Sequence, residues 1–371
     1  MSSETPVYRR AIDLIADRKP KTESDHFVAR FVRLALGFWS GPTRGRAWLL
    51  TIGVLAGLVL NLGVAVAVNG WSKFFFDALQ NYDRRVMLGA LGTVLLIAAA
   101  SVVASVSLLQ VRMRLQLHWR EWLTATLINR MMAWRGIARH TLTDAVDNPE
   151  ARIAEDGRQA IELFVDFAAG ITNAVLSAVS FVSILWLVGG SITVLGITIP
   201  GYLVIAAILY SGLTSYTTLL LGRPLFKRVE EKAAREADFR YALIRTRQNA
   251  KGGWRDGEAD SERERLKTAF EGVKTQWFGV IGGQTRLLFL SSANAVLSGV
   301  VPLVLGAPKF LSGEMSLGDL MQAALAFSQV YMALNWLADN SLRLADWFAS
   351  AHRVGALDAA FDELDEVPAT P

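Results

Sequence analysis

Charge-free stretches set the pattern along this chain. A bilayer core needs about 20 consecutive apolar helical residues. Ala47 to Ser72 and Val86 to Val111 each lack Asp, Glu, Lys and Arg, so each predicts one crossing with residues to spare. The window Phe167 to Gly222 is too long for a single crossing. Gly189-Gly190 and Ile199-Pro200-Gly201 divide it, Pro200 being suited to the first turn of a new helix, and this predicts two spans. Leu287 to Pro308 predicts a fifth span and the shorter, Ala-rich Leu320 to Ala338 a sixth. The expected architecture is an all-α integral membrane protein of six transmembrane helices.

Between the windows the pattern turns amphipathic. From Leu115 the apolar positions fall at Trp119, Trp122, Leu123, Leu127, Met131 and Trp134, with Arg112, Gln116, Arg120, Glu121 and Arg130 among them. That is helical spacing, so the second span should run on as helix. Unbroken helix from Val86 to Trp134 would extend roughly 73 Å at 1.5 Å per residue, leaving about 40 Å beyond the hydrocarbon. A turn is expected at Gly136 to Asp147. Asn148 then caps, Pro149 takes the first helical position, Glu150 faces the positive end of the dipole, and the helix runs through Phe164 into span three. A second arm repeats the plan: span four continues past Gly222-Arg223-Pro224 through Lys227 to Ala250, breaks at Gly252-Gly253 and Gly257, and returns as Asp260 to Lys274. Two protruding helical hairpins therefore organise the chain. A solvated amphipathic stem is one reading of them; a surface for a partner is the other.

Composition follows from these windows. Of 371 residues, 52% are hydrophobic and 19% charged, which excludes a soluble two-domain enzyme. With no cysteine there is no disulfide framework, zinc–thiolate site, iron–sulfur cluster or thiol nucleophile. His26, His118, His140 and His352 have no metal-ligand spacing, so no metal is expected. The net charge of +4 selects no partner; the position of the charges matters more. Basic residues number nine in 1–46, eight in 112–166 and fourteen in 223–275, against three in 69–85, none in 188–200 and one in 307–316. Lys and Arg are retained on the cytoplasmic side, so both termini and both arms are expected inside. The polar, basic Met1 to Arg46 is not a signal peptide, and the N-terminus should be kept. Topology already accounts for the arm arginines, and no nucleic acid is expected. The organisation is a basic cytoplasmic region (1–46), a six-span domain (47–348, arms 112–166 and 223–275) and a cytoplasmic tail (349–371).

Short motifs sharpen this layout. Asp147-Asn148-Pro149-Glu150-Ala151-Arg152-Ile153-Ala154-Glu155-Asp156 resembles the Asn-Pro-Asp-Gln-Arg-Ile segment, with its following Asp, of peroxisomal-type ABC half-transporters, their YddA-like bacterial relatives and the SbmA/BacA-like peptide uptake family. Gly222-Arg223-Pro224-Leu225 and Arg235-Glu236-Ala237-Asp238-Phe239-Arg240-Tyr241 are similar to a second signature of the bacterial members. Trp71, Phe75, Asp77, Ala78, Leu79 and Gln80 resemble the family's segment after span one, and Trp119-Arg120, Trp122-Leu123-Thr124 its basic-aromatic stem. The resemblance covers most of residues 47 to 357 and implies the exporter-type transmembrane domain and a homodimer. Two features depart from it. No Gly-x-x-x-x-Gly-Lys-Ser/Thr loop occurs, so this chain is not expected to be an enzyme hydrolysing ATP by itself, and it needs no cofactor of its own. Lys251-Gly252-Gly253-Trp254 also replaces the acidic and aliphatic-aromatic run expected near the second arm's tip.

Ionisable groups at bilayer depth are costly, which singles out a few. Glu162 and Asp166, one turn apart beside Phe164, are candidates for proton coupling, or else solvated acids at headgroup level. Arg286 either snorkels, binds lipid phosphate or pairs with an acid. Asp339, Arg343 and Asp346 have the spacing of an intrahelical ion-pair ladder, or line the inner mouth. Gly53 and Gly57 permit close helix packing. Asn61, Asn173, Asn294, Gln322 and Gln329 either bond between helices or line a pathway. Trp71 to Asp77 reads as an interfacial aromatic belt.

By this resemblance the chain is a bacterial inner-membrane transporter subunit moving peptides or other bulky amphiphiles, with protons as coupling ion. The alternative is an ABC membrane subunit served by a separate ATP-binding polypeptide; a non-transporting membrane scaffold is a third.

Overall fold

The computed structural model describes residues 24–133, 148–194, 196–250 and 257–365. Its helices are α1 (Ser24–Ser40), α2 (Arg44–Gln80), α3 (Arg84–Ala133), α4 (Pro149–Gly189), α5 (Tyr202–Asn249), α6 (Glu258–Leu311), α7 (Leu317–Asp339) and α8 (Ser341–Asp365). Five of them, α2 to α6, are long and apolar enough to cross a membrane. The expected sixth span is the 23-residue α7, which falls outside that set. Its Asp319, Gln322, Gln329 and Asn335 dilute its apolar run.

The arms are continuous helix, as the spacing requires. α3 runs for 50 residues, α5 for 48 and α6 for 54, about 72 to 81 Å at 1.5 Å per residue. Pro224 lies inside α5, and Pro302 and Pro308 inside α6, without ending them. The expected turn at Gly136 to Asp147, and Gly252 and Gly253, lie outside the described residues. Gly257 is the N-cap of α6.

Two expectations at helix starts are corrected. Asn148 does precede Pro149 at the start of α4, but it makes no side-chain capping hydrogen bond; its backbone is left-handed instead, at φ 50° and ψ 62°. Pro200 does not open a helix. It closes β2 (Ile197–Pro200), which pairs antiparallel with β1 (Ser191–Val194), and the N-cap of α5 is Gly201. Only glycine fits there: its φ is 61°, its N–H donates to Gly190 O at 2.8 Å, and a Cβ would strike the Trp186 ring.

The chain divides into two compact units. The first comprises 1–71, 84–177 and 339–371. Its core brings together Phe31 and Phe38 of α1, Trp119, Leu123 and Leu127 of α3, Ile153 and Ile161 of α4, and Leu357 and Phe361 of α8, all buried. Fully burying one such side chain is worth roughly 1.5–3 kcal/mol. Trp119 stacks on Phe38 at 6.2 Å and meets Trp39 and Phe164 edge-on at 4.7 and 5.3 Å. Asp358 ties three segments: it accepts from Arg30 at 2.9 Å and pairs with Arg130. Farther along, α2 and α3 close over glycines. A Cβ at Gly53 would lie 2.9 Å from Val111 and one at Gly57 3.0 Å from Leu108, so this pattern packs within the chain. Asn61 bonds across to Ser105 at 3.0 Å.

The second unit comprises 72–83 and 178–338. In it α5 and α6 form an antiparallel hairpin held from end to end. Tyr210 donates to Asn294 at 3.1 Å, Arg228 to the Gly279 carbonyl at 2.9 Å, and Thr246 to Glu262 at 3.0 Å. The end of α2 clasps the N-terminus of α7: Asp77 accepts from Gly318 N–H at 3.0 Å, Gln80 from Leu317 N–H at 2.7 Å, and Lys73 pairs with Asp319. A Cβ at Gly318 would collide with Lys73 O and Asp77, so a helix start capped by another helix needs glycine at that contact.

These glycines give a direct test of the α2–α3 contact. Gly57→Leu should lower stability by about 1–3 kcal/mol through overpacking against Leu108. Gly63→Leu, with nothing within 4 Å of its Cβ, should change it by less than about 0.5 kcal/mol. Denaturant titration in detergent measures both.

Candidate functional site: a charge node at the root of the stalk

The Asn-Pro motif opens α4 with one irregular turn. Residues Arg152–Asp156 are π-helical, and the helix becomes regular from Gly157. Single π-helical turns inside long helices are frequent at functional sites. Here the turn aims three motif residues at different targets. Ile153 enters the core, Arg152 donates to the Arg353 carbonyl at 3.3 Å, and Asp156 takes a bidentate pair from Arg353 at 2.8 and 2.7 Å. Ser350 bonds Gln159 at 3.2 Å and Trp347 donates to the Ala160 carbonyl at 3.1 Å. The motif thus fastens α8 along the first turns of α4. Hydrogen bonding to Asp156 pushes the Arg353 guanidinium above its already high ordinary pKa; desolvation opposes this, and the charges of Asp156 and Asp346 add to it. The Arg353 guanidinium is charged at any physiological pH.

Two to three turns farther on lies the second constellation. Asp166 accepts from Arg343 of α8 at 2.9 Å and from Gln116 of α3 at 3.0 Å, and Arg112 of α3 stands 3.7 Å away. One carboxylate therefore joins α3, α4 and α8. Arg343 also lies over the Phe167 ring at 5.9 Å. The Nε of Arg112 is buried, with no hydrogen-bond partner among the described residues.

The candidate residues separate here. Glu162 shares the helix with Asp166 but not its partners: it pairs with Arg158 of its own helix at 2.7 Å, and only its backbone carbonyl reaches Gln116. Arg343 serves Asp166 and, among the described residues, makes no ion pair with Asp339, from which the turn at Asn340 separates it, or with Asp346 of its own helix. Arg286 is exposed and joins no ion pair among the described residues. In the second signature Gly222 is half-buried and Arg223 and Pro224 are exposed, whereas Leu225 is buried where a Cβ on Gly283 would lie 2.8 Å from it. Glu236 accepts from Trp277 at 3.2 Å, Lys232 sits 3.5 Å over that ring, and Phe239 packs on Phe270 at 5.4 Å, while Arg240 points to solvent.

Sequence reasoning missed the α2–α7 clasp and a polar cluster in the second unit, where Thr214 and Ser215 donate to Asn335 at 3.2 and 2.6 Å and Ser328 donates to the Ser298 carbonyl at 3.2 Å. The available signal was hydroxyl and amide residues inside otherwise apolar windows. Among the described residues no group of His, Asp and Glu can hold a metal ion.

Long helices continuing out of apolar spans, and a motif that fixes the stem of α4, define a multi-pass membrane transport domain. The family described as ABC transporter transmembrane region 2 matches residues 38–311, and the chain belongs to it. It is 30% identical over 310 residues to an uncharacterized ABC transporter ATP-binding protein of Haemophilus influenzae, covering 80% of this chain and 51% of that protein. It is 27% identical over 337 residues to the inner membrane ABC transporter ATP-binding protein YddA of Escherichia coli, covering 88% and 60%. Against the chloroplastic ABC transporter D family member 2 of Arabidopsis thaliana the identity is 23% over 337 residues, covering 90% and 46%. The chain spans about half the length of the curated relatives it matches.

The bidentate pair and the node should differ in strength. A double-mutant cycle of Asp156→Ala and Arg353→Ala should give a coupling of about 1.5–3 kcal/mol, because the carboxylate is only 13% exposed and doubly bonded. The Asp166 and Arg343 cycle should give about 1 kcal/mol or less, since Arg343 is 51% exposed. Unfolding free energies of the four single and two double variants measure both.

Proposed function

We propose that this chain is the membrane half-unit of a transporter that carries peptides or other bulky amphiphiles by alternating access, working as a homodimer in a bacterial inner membrane and driven by the proton gradient. The Lys and Arg distribution supports placing both termini and both arms in the cytoplasm. The observation that carries the reading is the Asp166 node, where one carboxylate links three helices. Arg343 and a proton are alternative partners for that carboxylate. In one state the guanidinium is the counter-charge; in the other α8 has moved away and the proton replaces it. A ligand shifts an equilibrium only by its differential affinity for the two states, and pairing that exists in one state alone supplies such a difference. Moving a population from 1:99 to 99:1 takes about 5.5 kcal/mol, and a twofold dimer with two such nodes doubles the leverage of one. Glu162, tied to its own helix by Arg158, is the weaker candidate.

A second reading rests on a separate observation: the relatives carry the name ATP-binding protein, and this chain spans about half of them. Under it an ATP-binding partner powers the same movement, and Asp166 and Arg343 remain a structural latch.

Uptake of a labelled amphiphilic peptide into vesicles holding the protein separates these readings. With an imposed pH gradient and no ATP, Asp166→Asn should lose at least tenfold in rate and Glu162→Gln less than twofold. Full activity of Asp166→Asn under the gradient removes this carboxylate from proton coupling. Uptake only when ATP and a co-purified ATPase are supplied selects the second reading.

A further inference from the structure

Among the described residues the first unit holds a cavity of about 160 Å³ beneath α1, lined by Trp39, Thr51, Leu58, Trp119, Phe164 and Ala169. An apolar engineered cavity of about 150 Å³ stays dry and takes a benzene-sized group, so this one accommodates a short stretch of hydrocarbon. Its lining is not wholly apolar. The indole N–H of Trp119 is buried and has no acceptor among the described residues, although Trp39 N–H reaches Thr51 at 3.0 Å. A buried, unsatisfied donor is costly and normally finds a partner. Leu55 and Ala168, also on the lining, are exposed and form the mouth.

The mouth continues into a stripe. Arg44, Trp48, Thr51, Leu55 and Leu58 follow spacings of four, three, four and three, so they lie on one face of α2. Along that face a cation leads to an exposed indole and then into the cavity, with Arg44 about 10 Å above Thr51 at 1.5 Å per residue. Arg44 is exposed and in no ion pair among the described residues. The face lies at the edge of a membrane-capable helix, where cations and tryptophans sit at headgroup level.

We infer that this cavity is a binding site for one anionic glycerophospholipid, with its phosphate on Arg44, an acyl chain passing Trp48 into the cavity, and its ester carbonyl accepting the Trp119 N–H. The lipid would then join α1, α2, α3 and α4 at the point where the stalk leaves the bilayer. This stands whatever powers transport.

Native mass spectrometry of the full chain in detergent, exposed to phosphatidylglycerol or to phosphatidylcholine with the same acyl chains, tests it. One phosphatidylglycerol per chain should survive delipidation at least tenfold better than phosphatidylcholine. Ala168→Phe and Leu55→Trp, which block the mouth from two helices at exposed positions, should each abolish that retention without shifting the elution volume of the folded protein. Arg44→Gln should erase the preference between headgroups. Trp119→Phe should lower retention several-fold; retention unchanged with a raised melting temperature means that the donor had no acceptor, and overturns the assignment. Equal retention of the two lipids by the native chain, or retention of phosphatidylglycerol by both blocked variants, overturns it as well.

Discussion

A helix that leaves the bilayer loses the hydrocarbon that had covered its side chains, and everything else in this structure answers that constraint. Inside the membrane-capable segments large apolar residues such as Leu49, Leu95, Leu96 and Leu187 stand open, which lipid tolerates because it is as apolar as they are. Beyond its charge-free window, Val86 to Val111, α3 keeps an apolar stripe at Leu115, Trp119, Leu123 and Leu127, and there the stripe is buried to 5% exposure or less. The two units meet the constraint differently. In the first, α1, α4 and α8 close on the stripe with a core of aromatic rings. In the second, α5 and α6 cover each other, and the contacts between their stems include Lys232 over Trp277, Glu236 on the same indole, and Phe239 on Phe270.

Charge pairing follows the same division. In the stalk of the first unit, ion pairs join segments far apart in sequence, Arg353 with Asp156 and Arg30 and Arg130 with Asp358. On the α5–α6 hairpin most are neighbours within one helix, such as Arg263 with Asp260 and Lys274 with Glu271, exposed pairs worth a few tenths of a kcal/mol. The first kind specifies which helix lies against which; the second keeps a long exposed helix soluble. The Asn-Pro segment at the start of α4 belongs to the first kind. Its π-helical turn inserts one residue into the helical repeat, so Ile153 faces the core while Arg152 and Asp156 both reach Arg353. A regular helix offers a residue one face every 3.6 positions, and the wider turn changes that phase at one place.

Five of the six expected spans and the long helices that continue from them were legible in the sequence because each rests on a local rule: charge-free length, helical spacing, and glycine or proline at an end. The β1–β2 hairpin was not read, although Ile192, Val194, Ile197 and Ile199 alternate with polar residues around Gly196; the flanking glycines and Pro200 were read instead as helix boundaries, and eight residues give little periodicity. The partners of Asp166 could not be found by spacing. Gln116 and Arg343 lie 50 and 177 positions away, and their proximity is a product of the fold. Conversely, the ladder of Asp339, Arg343 and Asp346 had the right spacing and is not formed among the described residues: the turn at Asn340 separates Asp339 from α8, and Arg343, although on one helix with Asp346, pairs with Asp166.

That failure also explains why the node sits where it does. Had α7 continued straight into α8, Arg343 would have faced Asp339 on its own helix, and a pair confined to one helix is indifferent to how that helix moves. Glu162 illustrates this: Arg158 travels with it through any rigid displacement of α4. Asp166 has one cation, Arg343, on α8 and a second, Arg112, together with the Gln116 amide, on α3, so displacing either helix changes its surroundings. A charge coupled to conformation must draw its partners from elements that move relative to it. Among the acidic residues of the α4 stem, Asp156 also meets that condition, but its bidentate, mostly buried pair with Arg353 makes it an anchor. Asp166, with one bond to a half-exposed Arg343, is the weaker pair, and under the proposed proton coupling it is the one that releases.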